Sequence, residues 1–256
     1  MRNIFIFGIA ILLCCCSQNK AIAQSNTTPV TKTSKNIIKL NLGNFLFKNY
    51  GVQYERMLTK RWSASLGIRV MPSTTIPFKD LLFNSSDKEL KEKFDLLRVS
   101  NIALTPEVRY YVSKKAYGRG FYLAPYYRYA SFKLDNFITE SNGTSTTAPI
   151  QVAMSGKFNS HSFGLMIGSQ FSLSKKMVLD WWILGAHKGN GKASLTGNSS
   201  RPLTTQEQAD IRKDLQNSNG SDINSSEIYV DANTIRYAFG MPWLGIRAGL
   251  SIGVKF

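Results

Sequence analysis

Cysteine occurs at three consecutive positions, Cys14, Cys15 and Cys16, and histidine at two, His161 and His187. Too few of either remain to build a metal site of the ordinary His/Cys type, and no other pattern calls for a cofactor. Beyond residue 16 there is no thiol for a disulfide or a sulfur nucleophile. No run of 18 or more apolar residues occurs, which excludes a membrane-spanning helix. Acidic residues number 16 against 32 basic ones, for a formal net charge of +16. That excess raises nucleic acid or an anionic surface as partners, and the position of each charge decides between them.

The start of the chain is set apart from the rest. A short basic beginning, Met1-Arg2-Asn3, leads into the apolar "IFIFGIAILL" and then to Ala21-Ile22-Ala23. This order predicts a secretory signal peptide over residues 1–23, cut after Ala23, followed by an extension over 24–36. All three cysteines fall inside it. Acylation at Cys16 is the competing reading, but the positions before it, which should be small, are cysteines.

The remainder alternates. In "LGIRAGLSIGVKF", Leu244, Ile246, Ala248, Leu250, Ile252, Val254 and Phe256 point one way, and glycines, Ser251, Arg247 and Lys255 point the other. A period of two is a strand. "WSASLGIRVM", "NIALTPEVRYYV", "FYLAPYYRYASF" and "SHSFGLMIGSQF" repeat the pattern, and residues 37–46, 50–58 and 178–187 add three noisier strands. Eight strands of about ten residues result, the length that crosses a bilayer at a tilt. Their connections are sorted: "TKR", "SKKAYGRG" and "LSKK" are short, whereas 72–99, 133–154 and 188–242 are long. The pattern predicts an all-β fold, an eight-stranded antiparallel transmembrane β-barrel with periplasmic turns and long extracellular loops. Two of those loops should carry short helices, over "SSDKELKEKFDLL" with a capping box from Ser86 to Glu89 and over "TTQEQADIRKDLQNSNG" with one from Thr204 to Glu207. Tyr110, Tyr111, Tyr122, Tyr126, Tyr127 and Tyr129, with Trp62 and Trp181, are expected to form interfacial aromatic girdles.

The stretches "YGVQYERMLTKRWSASLGIR", "LTPEVRYYVSKKAYGRGFYLAPYYRY", "LDWWILGAHKG" and "GIRAGLSIGVKF" resemble a domain-of-unknown-function family of small single-domain outer-membrane barrels, with the eight-stranded plan of the OmpA/OmpX type. The resemblance covers residues 37–256 and implies a place and a shape rather than a reaction. It also implies that Phe256 is the terminal aromatic read by the barrel assembly machinery.

The inward parity collects Lys39, Glu55, Arg69, Glu107, Arg109, Arg128, Asp180, Arg247 and Lys255. An interior this narrow demands paired charges, so a lumen network of Glu55, Arg69, Glu107, Arg109, Arg128, Asp180 and Arg247 is expected. Glu55 and Glu107 should each meet a lumen arginine. "HKGNGKAS" fails as a phosphate loop, because Ala186 stands where a glycine is required and Ala193 follows Lys192. Lys60, Arg61, Lys114, Lys115, Arg119, Lys175 and Lys176 lie in the short turns, while the long loops are near neutral. The basic surface therefore suits anionic lipid headgroups, and nucleic acid is not supported as a partner.

The sequence thus points to a non-enzymatic barrel in the outer membrane of a Gram-negative-type bacterium, structural or recognising a surface partner through loops 72–99 and 188–242. Outer-membrane lipids and the assembly machinery are its other partners. The first alternative is a deacylase-type lipid hydrolase using Ser160 or Ser162 with His161. A narrow gated pore is the second.

Overall fold

The structure, a computed structural model, describes residues 34–75, 96–113, 118–141, 150–217 and 224–256. The signal peptide, the extension as far as Thr33 and the capping box at Ser86 lie outside the described residues. The strands are β1 (Asn36–Asn41), β2 (Tyr50–Met57), β3 (Trp62–Thr74), β4 (Arg98–Tyr111), β5 (Gly120–Ser141), β6 (Ile150–Ser172), β7 (Met177–Ser199), β8 (Asn224–Val230) and β9 (Thr234–Lys255). Among the described residues two helices accompany them, α1 (Leu42–Phe45) and α2 (Thr205–Asn217). All nine strands belong to one antiparallel sheet in which β1 to β7 pair in sequence order. Strand β9 then pairs with β7 along one edge and with β1 along the other, so the sheet closes in a ring. Strand β8 pairs with the far part of β9.

Alternation separates the two faces. Ile38, Leu40, Val52, Leu66, Ile68, Leu104, Val108, Leu165, Ile167, Leu250 and Val254 are exposed on the outer face, whereas Lys39, Gln53, Glu55, Ser65, Glu107 and Arg109 are buried on the inner one. The small inner residues make room for rings from the next strand. A Cβ on Gly168 would overlap the Tyr122 phenol, and one on Gly164 the Tyr126 ring. Tyr111, Tyr122 and Tyr126 are thus interior residues, exposed by only 0%, 1% and 3%. They take no part in the expected outer girdle, because the face of a tyrosine near a strand end is set by its parity and not by its residue type. Tyr110 stacks against Trp62, ring centroids 4.9 Å apart, in contact across β3 and β4.

Strand length is the main departure from expectation. β5, β6, β7 and β9 run 22 or 23 residues, against 6, 8, 13 and 14 for β1 to β4. Much of the expected loop 133–154 is strand, and so is much of loop 188–242, where residues 188–199, 224–230 and 234–242 lie in β7, β8 and β9. The stretch "HKGNGKASLTGNS" is rich in turn-forming residues but is hydrogen-bonded to β6 on one edge and β9 on the other, and ladder pairing overrides a weak propensity. Of the expected loop 72–99, Pro72–Thr74 and Arg98–Val99 are strand and the described remainder is short. The expected strand 37–46 also ends early. Asn41 accepts a hydrogen bond from the Asn44 N–H at 3.0 Å and caps the one-turn α1, a local competition typical of asparagine.

A β-bulge resets one parity. Between Trp182 and Gly185, β7 places two residues opposite one of β9, so the inward residues change from Val178, Asp180 and Trp182 to Gly185 and His187. His187 lies inside β7 and is buried, rather than at a loop junction.

Candidate functional site

At the short-turn end the ring interior is a charged core. Lys39 on β1 reaches Glu55 at 2.5 Å and Asp180 at 2.6 Å. Arg109 on β4 is the hub, meeting Asp180 at 2.7 Å, Glu107 at 2.9 Å and Glu55 at 3.5 Å. Arg247 on β9 joins through Glu107 at 3.2 Å. All the side chains of this network except that of Arg247 are fully shielded from solvent. Neutral groups take up further lone pairs: Ser63 and Tyr111 donate to Glu55 at 2.5 and 2.7 Å, and Tyr122 donates to Asp180 at 2.8 Å. Gln170 accepts from Lys39 at 2.5 Å and Gln53 from Arg109 at 3.0 Å. A buried ion cluster is tolerable only with this degree of satisfaction.

Of the sequence-expected set, Glu55, Glu107, Arg109, Asp180 and Arg247 are brought together with Lys39. Arg69 and Arg128 are not. Arg69 donates to Asn101 at 2.8 Å and Arg128 to Thr105 at 2.9 Å, both neutral. Lys255 donates to Ser172 at 3.2 Å. Phe256 follows β9 directly, exchanging backbone hydrogen bonds with Asn36 at 2.9 and 3.2 Å, its ring exposed on the outer face. Sequence reasoning missed the polar neighbours Gln53, Ser63, Tyr111, Tyr122 and Gln170. Inward parity was the signal that would have found them.

Above this core the guanidinium of Arg247 lies between the rings of Tyr126 and Trp182, 4.7 and 4.8 Å from their centroids. His187 Nδ1 lies 3.0 Å from the Tyr126 hydroxyl. Here a cavity of about 210 Å³ opens, lined by Arg69, Arg128, Arg247, Asn41, Ser251 and Trp182 among others. Farther up the same face, Phe132, Phe158 and Trp243 form an aromatic trio with centroids 4.8 to 6.1 Å apart.

The far end is closed differently. Ile150, Val152, Leu203 and Val230 are buried together, with Ile211 and Leu215 of α2 and Ile228 and Ile235 packed against them. The expected capping box of α2 is formed: the Glu207 N–H donates to Thr204 Oγ1 at 3.2 Å and the Thr204 N–H to Glu207 Oε2 at 2.8 Å. Arg201 holds the same carboxylate with two bonds of 3.0 and 2.7 Å. This guanidinium, with the Thr204 N–H, holds the half-buried Glu207 carboxyl at about 2.

The tempting nucleophile is not assembled. Ser160 and Ser162 face inward and donate to the carbonyls of Ala130 and Arg128 at 3.4 and 3.3 Å. His161 faces outward, with Nδ1 2.5 Å from the Tyr127 hydroxyl.

A family model described as protein of unknown function (DUF3575) matches residues 9–186, and the chain belongs to that family. No curated protein and no solved structure matches it.

Proposed function

We propose that this member of the DUF3575 family is an eight-stranded outer-membrane β-barrel, with β8 as an extra flanking strand, that acts without catalysis and meets partners through its far end. The observation that carries this reading is the outer face. Outward side chains along β6 are apolar at Phe171, Ile167, Leu165 and Phe163, with Ser169 buried among them, and then change to His161, Asn159 and Lys157; those along β9 are apolar from Val254 to Leu244 and give way beyond Pro242 to Gly240, Ala238 and Arg236. The change falls near one registered row, Tyr129, His161, Asn190 and Pro242, and comes one row earlier on β7, where the exposed Lys188 pairs with Phe163 and Leu244. An outward apolar band of about ten residues per strand matches the hydrocarbon thickness crossed by a tilted strand, and closure leaves few sheet edges facing lipid. Beyond the row, β5 to β9 and α2 would project from the surface as a polar wall suited to recognition. Lys60, Arg61, Arg119, Lys175 and Lys176 gather at the opposite rim and suit anionic headgroups there.

Both alternatives receive less support. The lipid hydrolase needs a serine and a histidine within hydrogen-bond reach, and here they leave opposite faces of one strand. An open pore would have to pass the Lys39, Arg109 and Asp180 cluster, which fills the interior.

Two measurements test the reading. In detergent, the unboiled chain should migrate apart from the boiled one; identical migration overturns the barrel. Trypsin added to intact cells should cut near Arg201, Arg212 or Lys213 and spare Lys175 and Lys176. Cleavage at Lys175 in intact cells would reverse the orientation and discard the far end as the recognition surface.

A further inference from the structure

The interior charges divide into a settled set and an unsettled one. Lys39, Arg109 and Arg247 meet Glu55, Glu107 and Asp180, three bases to three acids. Arg69 and Arg128 remain, and among the described residues no carboxylate pairs with either. Both line the cavity, beside Arg247. Four of the residues that line it each hold a buried polar atom without a hydrogen-bond partner: Asn41 Nδ2, Arg69 Nε, Arg247 Nη1 and Ser251 Oγ. Each has a hydrogen to donate. Buried donors are normally paired, and four of them on the residues lining one cavity suit a ligand made of acceptors. Water would satisfy the donors but leave two guanidinium charges uncompensated. A phosphate monoester does both, carrying close to two negative charges near neutral pH and three acceptor oxygens.

The cavity also has a side door. Strand β1 leaves β9 at the Asn41–Ser251 pair, and β8 meets β9 only from Gly240 onward. Among the described residues no strand pairs with that edge of β9 between Met241 and Leu250; α1 lies against it instead. The cavity lining crosses this seam, with Asn44 and Phe47 on one side and Ile246 and Ala248 on the other. The outer lip is apolar: Leu46, Leu244 and Ile246 are exposed by 69%, 67% and 76%. A cationic chamber that opens sideways onto apolar side chains matches an amphiphile, not a bare ion.

We infer that this cavity binds the phosphate monoester head of a single-chain lipid, with Arg69, Arg128 and Arg247 on the phosphate and the tail leaving between α1 and β9. The lipid source rests on the membrane reading above; the anion site itself does not.

The test uses the full chain in neutral detergent, checked first for heat-modifiable migration. Titration calorimetry compares monoacylglycerol phosphate with glycerol phosphate, which has the head alone, and monoacylglycerol, which has the tail alone. Monoacylglycerol phosphate should bind saturably, glycerol phosphate at least about tenfold more weakly, and monoacylglycerol without saturation. The double variant Arg69→Gln/Arg128→Gln should lose at least about a hundredfold in affinity. Without ligand it should resist unfolding better than the parent, since two uncompensated charges are gone. If the double variant does not fold, Arg69→Gln and Arg128→Gln singly should each weaken binding about tenfold. A heat-modifiable chain that binds none of the three, or binds equally after the substitutions, overturns the site while leaving the barrel intact. Glycerol phosphate binding as tightly as the lipid overturns the lipid source in favour of a free phosphate. If the chain is not heat-modifiable the membrane reading fails separately, and the glycerol phosphate titration still decides the anion site.

Discussion

The inner face of β6 runs from Gln170 near the short turns to Ile150 at the far end, and its two ends hold opposite chemistry. At Gln170 the surroundings are Lys39, Asp180 and Arg109, all shielded from solvent. At Ile150 and Val152 they are Leu203, Val230 and the apolar side of α2. In the first region the closing of the ring itself removes water, so charges there must find one another. In the second, long strands rise past the short β1 to β4 walls, and burial requires an added helix. Closure by hydrogen bonding makes a polar interior affordable, whereas an open wall needs ordinary apolar cover.

The largest expected effect is on the ion core. Replacing Arg109 by Met should lower the unfolding free energy by about 3–5 kcal/mol, because three buried carboxylates would then share Lys39 and Arg247. Urea unfolding followed by loss of heat-modifiable migration measures it. An unchanged midpoint would mean that water reaches the core, and the contrast between the two ends would collapse.

Next comes the far-end cover. Leu203 is buried in the apolar cluster, and Leu203→Ala should cost about 2–3 kcal/mol. Amide exchange should speed up in α2 and β8 and stay unchanged in β1 to β4. Uniform acceleration across the molecule would make the two ends one cooperative unit.

Smaller still, Thr204→Ala removes the cap of α2 and should destabilise that helix by about 1 kcal/mol, read as faster exchange of its first-turn amides. Wild-type exchange rates in the variant would assign the helix start to packing alone.

The slightest effect is a pH dependence. The Glu207 carboxyl titrates at about 2, below its usual 4.5, held there by Arg201 and the Thr204 N–H. Its folded value is depressed, so its support of α2 is complete above about 4.5 and fades as the pH falls towards 2. The first turn of α2 should fray over that window in the wild type, and Glu207→Gln should flatten the profile. A Gln variant with the wild-type profile would remove Glu207 from the account.

Much of the fold was legible because a strand's two faces follow from parity alone. The inward placement of Glu55, Glu107, Arg109 and Asp180 needs no partner strand to be known. The α2 capping box was legible for a similar reason: Thr204 and Glu207 are three residues apart, and the bonds they make are local. Ile211 and Leu215 also carry helical spacing, although the surface they cover lies on β6, β8 and β9.

The sequence by itself therefore determined the period of the strands, the face of each side chain between bulges, and the helix cap, because all three depend on neighbours a few residues away. Only the tertiary structure decided that Lys39 meets Asp180, 141 residues on, and that Arg69 and Arg128 meet no acid among the described residues. It also decided that the Gly- and Lys-rich end of β7 is a strand, and that a bulge after Trp182 turns His187 inward. Each of these follows from ring closure and register, which bring distant segments side by side. Hydrogen bonds to a neighbouring strand are a property of the pair, and no single stretch of sequence contains them.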